Sequence, residues 1–150
     1  GGGGERLLPW RDVRGTEAEA RVHWCPIKHH RRACQKLLRS YRMDPSLLLD
    51  VCRQTLVLSS LADLTQCLGQ ICCDEEVVVD RIKNRLSHAY DGAATAGFRS
   101  VSINFRVVSP HAIALGAEGH VCELQLCLLE FAQLRTPEAH ARYLQWRDSR

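Results

Sequence analysis

The chain has 150 residues, one domain's worth, with 45% apolar and 25% charged residues, which suits a globular domain able to bury a core. Its formal net charge of +3 permits contact with phosphates or nucleic acid without demanding it. No apolar run reaches the length of a membrane span.

Residues 1–15 read as a linker or N-terminal arm, and residues 16–150 as a single domain. The opening Gly1-Gly2-Gly3-Gly4-Glu5-Arg6 has no hydrophobic signal core. Trp10 is expected to anchor on the domain or on a partner. Thr16, with Glu17 and Glu19 behind it, reads as the cap and acidic first turn of a helix toward Trp24. After Pro26, Ile27 to Tyr41 forms a helix with Cys34, Leu37, Leu38 and Tyr41 on one stripe. Lys28, Arg31, Arg32, Lys36 and Arg39 cover its other sides.

Asp44-Pro45 marks a turn, and a strand follows over Val51 to Leu58. Ser60-Leu61-Ala62-Asp63 is a capping signal ahead of a helix whose stripe is Leu61, Leu64, Leu68 and Ile71. Val77 to Leu86 is a second strand. Arg81, Lys83 and Arg85 lie on one of its faces, and Val78, Ile82 and Leu86 on the other. Ser87 to Ala96 is a polar, Ala/Gly-rich loop. Thr136-Pro137-Glu138 starts a last helix, with Ala139, Tyr143 and Trp146 packing inward.

Between these lie two alternating strands, Gly97 to Val107 and Gly119 to Leu126. In the first, Ser102, Asn104 and Arg106 oppose Val101, Ile103, Phe105 and Val107. In the second, Glu123 and Gln125 oppose Cys122, Leu124 and Leu126. A carboxylate in mid-strand beside Arg, Asn and Gln suits a site built on an open sheet face, and it equally suits a solvated face. The element order is that of an α+β domain, a mixed sheet of about four to five strands with helices on one face.

The eight cysteines are Cys25, Cys34, Cys52, Cys67, Cys72, Cys73, Cys122 and Cys127. Most occupy positions that the periodicity assigns to a buried face. They are read as reduced, apolar core residues of a protein in an intracellular, reducing compartment. There is no Cys-x-x-Cys pair, and Cys25 with His29 or His30 lacks a second pair, so zinc is not expected.

Gly97-Phe98-Arg99-Ser100 and Glu123-Leu124-Gln125 resemble the Gly-Tyr-x-Ser and Glu-x-Gln strands of the RelA/SpoT nucleotidyltransferase domain. Upstream, Arg32-x-x-x-Lys36 resembles the family's phosphate-binding basic helix. Asp50-Val51-Cys52-Arg53 resembles the strand that begins with a magnesium-binding Asp, and Arg81-Ile82-Lys83-Asn84-Arg85 the strand before the Gly-Tyr turn. The likeness runs from Lys28 to Arg147 and looks closest to a diverged eukaryotic branch.

The resemblance implies a polymerase-beta-like nucleotidyltransferase fold that moves pyrophosphate from ATP to the 3′-hydroxyl of GDP or GTP. It makes Asp50 and Glu123 the catalytic and magnesium-binding pair. Arg32, Lys36, Lys83, Arg85 and Gln125 would bind nucleotide, and Phe98 would stand where the family stacks a Tyr on guanine.

The chain departs from that pattern where Cys127-Leu128 replaces an Arg-Thr pair, where Ser102 replaces a His, and where Ala and Gly replace a Lys-bearing loop. Each lost clamp costs on the order of 2–4 kcal/mol of transition-state stabilisation. The first expectation is therefore a degenerate module acting as a binding or scaffold element among other protein chains. An active guanosine tetra- or pentaphosphate synthetase using magnesium is the second, and an RNA-contacting module the third.

Overall fold

Period-two alternation resolves into four strands in the computed structural model, which describes residues 10–22, 24–95, 97–134, 136, 138, 141–143 and 145. In chain order the elements are α1 (Trp10–Val13), α2 (His30–Ser40), β1 (Cys52–Leu58), α3 (Leu61–Cys73), β2 (Val77–Asn84), β3 (Val101–Val107), α4 (Pro110–Ala114), β4 (Cys122–Leu128) and α5 (Leu129–Gln133), with short 3-10 turns between some of them. The sheet order is β1-β4-β3-β2. β3 runs antiparallel to both neighbours, whereas β1 and β4 are parallel. The mixed α+β sheet expected from the sequence is thus present.

Direct partners in the register share a face. Leu56, Leu126 and Val101 form one apolar row, and Leu124, Ile103 and Ile82 the next. Ile103 and Leu126 are fully buried, and they meet Leu64 of α3 with Cys67, Leu68 and Ile71 around it. Burying each large aliphatic side chain is worth about 1.5–3 kcal/mol. Ser60 caps α3: its hydroxyl oxygen accepts from the Asp63 amide at 3.1 Å, and its hydroxyl donates to the Asp63 carboxylate at 2.7 Å. This is the signal read from Ser60-Leu61-Ala62-Asp63.

Three local expectations are corrected. Val78 lies 37% exposed, and Val79 packs on the core instead. The register of β2 shifts between Val79 and Arg81, so Asp80 is an extra, bulged residue. The bulge reverses the alternation and leaves Val79 and Ile82 on the apolar side. Helix α2 begins at His30 rather than Ile27 because Lys28 is extended, its amide donating to the Val51 carbonyl at 2.9 Å. The His29 imidazole caps the helix by accepting from the Arg31 amide. Leu38, expected on the inward stripe, is exposed.

Thr16 caps a 3-10 turn over Glu17–Arg21, and Val13 of α1 is buried. Cys127 is buried, Cys34, Cys67 and Cys122 are half-buried, and Cys25, Cys52, Cys72 and Cys73 are exposed. Half of the cysteines are therefore surface residues, contrary to the expected buried set. Pro137, Ala139, Trp146 and the Trp10 side chain lie outside the described residues, and Tyr143 is exposed. Among the described residues no helix is long and apolar enough to cross a membrane.

Candidate functional site on the polar sheet face

The face opposite α3 carries two polar rows. Arg53, Glu123, Asn104 and Arg81 form one, across β1, β4, β3 and β2. Thr55, Gln125, Ser102 and Lys83 form the other. Period-two alternation puts them there, and the Asp80 bulge keeps Arg81 and Lys83 in the same rows as the acids and amides of β3 and β4.

Hydrogen bonds run across these rows. Arg81 donates through Nε and Nη2 to the Asn104 side-chain oxygen at 3.1 and 2.8 Å. Asn104, itself buried, donates to the Leu49 carbonyl at 3.2 Å. It therefore ties the basic strand to the segment that carries Asp50. Arg85 donates to the Ser102 hydroxyl at 2.8 Å. Gln125 donates to a Glu123 carboxylate oxygen at 2.5 Å, which orients that half-buried acid.

Asp50 precedes β1 and is only 7% exposed. Its Oδ2 accepts from Lys28 Nζ at 2.6 Å and pairs with Lys36 Nζ at 2.9 Å. Its Oδ1 is buried with no hydrogen-bond partner among the described residues. Burial pushes the Asp50 carboxyl up, but the bonds and charges of the two lysines outweigh it and hold the group below the ordinary 3.8. Burial likewise pushes the Lys36 ammonium down, and Asp50 and Tyr41 more than reverse this, so it lies above the ordinary 10.5. The Lys36 ammonium also sits 5.1 Å from the centre of the Tyr41 ring.

Lys83 shows the opposite sign. Partial burial, then the charges of Arg81 and Arg85, push its ammonium below the ordinary 10.5, with Tyr90 and Glu123 pulling weakly the other way. Arg81 and Lys83 on β2 and Arg85 just beyond it repel each other, and an anion laid across them would relieve that repulsion.

The expected residues fall into groups. Lys83, Arg85, Glu123 and Gln125 share the polar face, with Arg85 reaching it through Ser102. Asp50 joins this face through Asn104 and Leu49. Lys36 and Lys28 meet at Asp50, whereas Arg32 is exposed on α2. Lys28 escaped the sequence reading because a helical period cannot locate a residue that is extended. Phe98 is half-buried beside Gly97, which turns the chain at φ 81°.

Behind Phe98, Arg99 donates to the carbonyls of Arg85 and Ser87 at 3.0 and 3.2 Å and lies 5.6 Å from the Tyr90 ring centre. It thus anchors the loop that follows the basic strand. Arg106 is committed to Asp80 at 3.0 Å. Among the described residues no three His, Cys, Asp or Glu side chains gather closely enough to hold a metal ion by themselves.

Among solved structures, small alarmone synthetase 1 from Bacillus subtilis matches with a TM-score of 0.63 at 15% identity, covering 79% of this chain and 60% of that one. The same protein bound to its product pppGpp gives 0.61 at 13%, covering 78% and 58%. A GTP pyrophosphokinase family protein from Streptococcus pneumoniae gives 0.62 at 17%, covering 89% and 68%. The chain shares its fold with these structures. The chain spans about three fifths of the length of the two Bacillus subtilis structures. No protein-family model matches the sequence, and no curated protein does.

Proposed function

We propose that the polar sheet face binds a guanosine nucleotide together with ATP, and that the chain is a pyrophosphate-transferring module of the alarmone synthetase kind. The observation that carries this reading is the pair of cations Arg81 and Lys83 of β2, set through β3 in the same rows as Glu123 and Gln125, with Arg85 just beyond the strand reaching the same face at Ser102. Their mutual repulsion calls for a polyanion, and phosphate groups supply one.

Each residue then has a chemical task. Lys83, Arg81 and Arg85 hold phosphate oxygens and draw off the charge that builds on them during transfer. Glu123, oriented by Gln125, accepts the proton of the attacking hydroxyl. Phe98 offers a ring for base stacking. The residues also fit a magnesium ion, which takes one or two carboxylates and keeps waters and substrate phosphates. Asp50 and Glu123 would hold it, the buried and unpartnered Oδ1 of Asp50 being the oxygen open to it. When bound, that ion supplies charge neutralisation at the phosphates.

A second reading is favoured by Lys28 and Lys36, which Asp50 already neutralises. Cations so engaged are withdrawn from phosphate. In this reading the module is degenerate, and it serves as a binding or scaffold element for other protein chains.

Calorimetric titration with GDP, GTP and a non-hydrolysable ATP analogue, with and without magnesium, tests both. The expected result is micromolar, magnesium-dependent binding. A product assay is expected to show transfer that E123Q reduces at least 100-fold. Binding without transfer in the unaltered chain selects the second reading. No binding at millimolar nucleotide overturns the first reading and leaves the scaffold reading, and tight, steeply salt-dependent RNA binding would reassign the basic strand.

A further inference from the structure

Cys52 opens β1 and Cys122 opens β4, and the register sets them directly opposite each other. Neighbouring strands run about 4.8 Å apart, inside the roughly 4.4–6.8 Å separation of Cα atoms that a disulfide spans. Both side chains leave the same face of the sheet, so no rotation of a strand is needed to bring the sulfurs together. Cys52 is exposed and Cys122 is half-buried, which leaves the pair open to a small reagent.

The other cysteines lack this arrangement. Cys72 and Cys73 are consecutive in α3, where successive side chains diverge around the helix. Cys127 is buried, its sulfur directed to the backbone carbonyls of Arg99 and Leu128. Cys34 faces His30 on its own helix at 3.5 Å.

We propose that Cys52 and Cys122 are a dithiol modification site that closes to an interstrand disulfide by exchange with a low-molecular-weight disulfide of the glutathione type. The exposed Cys52 reacts first. Its thiolate attacks one sulfur of the reagent, forming a mixed disulfide and releasing one small thiol. The Cys122 sulfur then gives up its proton and attacks the Cys52 sulfur, breaking the mixed bond and releasing a second small thiol. Two protein thiols are oxidised, one reagent disulfide is reduced, and the two protein protons leave on the two small thiols. The bond joins the edge strand β1 to β4 on the side opposite Arg53 and Glu123, one residue from each and two from Asp50. The inference is independent of the nucleotide reading.

The test incubates the full chain in glutathione buffers of graded oxidised-to-reduced ratio, then quenches with an alkylating agent. Digestion uses trypsin and a Glu-specific protease, which cuts at Glu123 and so separates Cys122 from Cys127. Non-reducing mass spectrometry is expected to find the Cys52–Cys122 linked peptide at least tenfold above any other pair. C52S, at an exposed position, is expected to abolish it, and C72S to leave it intact. Oxidation is expected to raise the melting temperature of the unaltered chain and not that of C52S. Cys52 recovered as alkylated or glutathionylated peptide at every ratio, with Cys122 carrying the alkyl label, would overturn the proposal. So would a dominant link involving Cys72 or Cys73.

Discussion

Asp50 holds two ammonium groups on one oxygen and leaves the other bare. Its lowered pKa means that the folded chain keeps the carboxylate where the unfolded chain would protonate it. The stability it contributes is full above the unfolded value near 3.8 and is lost as pH falls through the lower folded value. Lys36 has the opposite sign. Its contribution is full below 10.5 and is lost as pH rises through the raised folded value. Urea unfolding across pH should therefore show stability falling at both limits, and D50N should flatten the acid limb. At neutral pH D50N should cost about 2–3 kcal/mol. That is below the roughly 3–5 kcal/mol for breaking a fully buried pair, because Lys36 keeps 30% of its side chain exposed and its charge is partly screened. Asp50 and Lys36 were named from the sequence through the family resemblance, though not as a pair. Lys28 was not, because only the extended pairing of its amide with Val51 brings it there.

At the scale of elements, local chemistry was legible where short-range rules decide. The capping serine of α3 is the plainest case. Ser60→Ala removes both of its bonds to Asp63 and should cost about 1 kcal/mol, read as a lower midpoint in denaturant with an unchanged slope. Where pairing with another strand decides, the sequence was silent. Simple alternation put Val78 with Ile82, but the extra residue Asp80 reverses the phase, and nothing in Val77-Val78-Val79-Asp80 announces it. Leu38 was likewise placed inside by period alone. Periodicity says which residues share a face, and it does not say whether another element covers that face.

At the scale of the molecule, the fold class could be read because three strands alternate cleanly and α3 carries a matching stripe. The core is small, so single residues weigh heavily. Ile103 is fully buried at the centre of the sheet and packs with Leu64, Val101 and Leu126. Ile103→Ala should cost about 2–5 kcal/mol, measurable by chemical unfolding, and should lower the melting temperature of the whole domain. The polar face was legible as a set of residues. Its two registered rows, and the link from Arg81 through Asn104 to Leu49, needed the strand order that only the sheet supplies.

Among the described residues β1 is an edge strand paired with β4 alone, and α3, β2 and β3 all lie between them in the chain. The β2–β3 and β3–β4 pairings are antiparallel and join successive strands, so they close over shorter stretches of chain. On a ribosome, β1 would emerge first and wait for its partner to be made. Docking β1 is thus the long-range step of folding, and the same edge is where the native domain is expected to open most readily. The lysine-bound Asp50, attached just ahead of β1, is assembled late and exposed early. Amide exchange in β1 should therefore be faster than in β3.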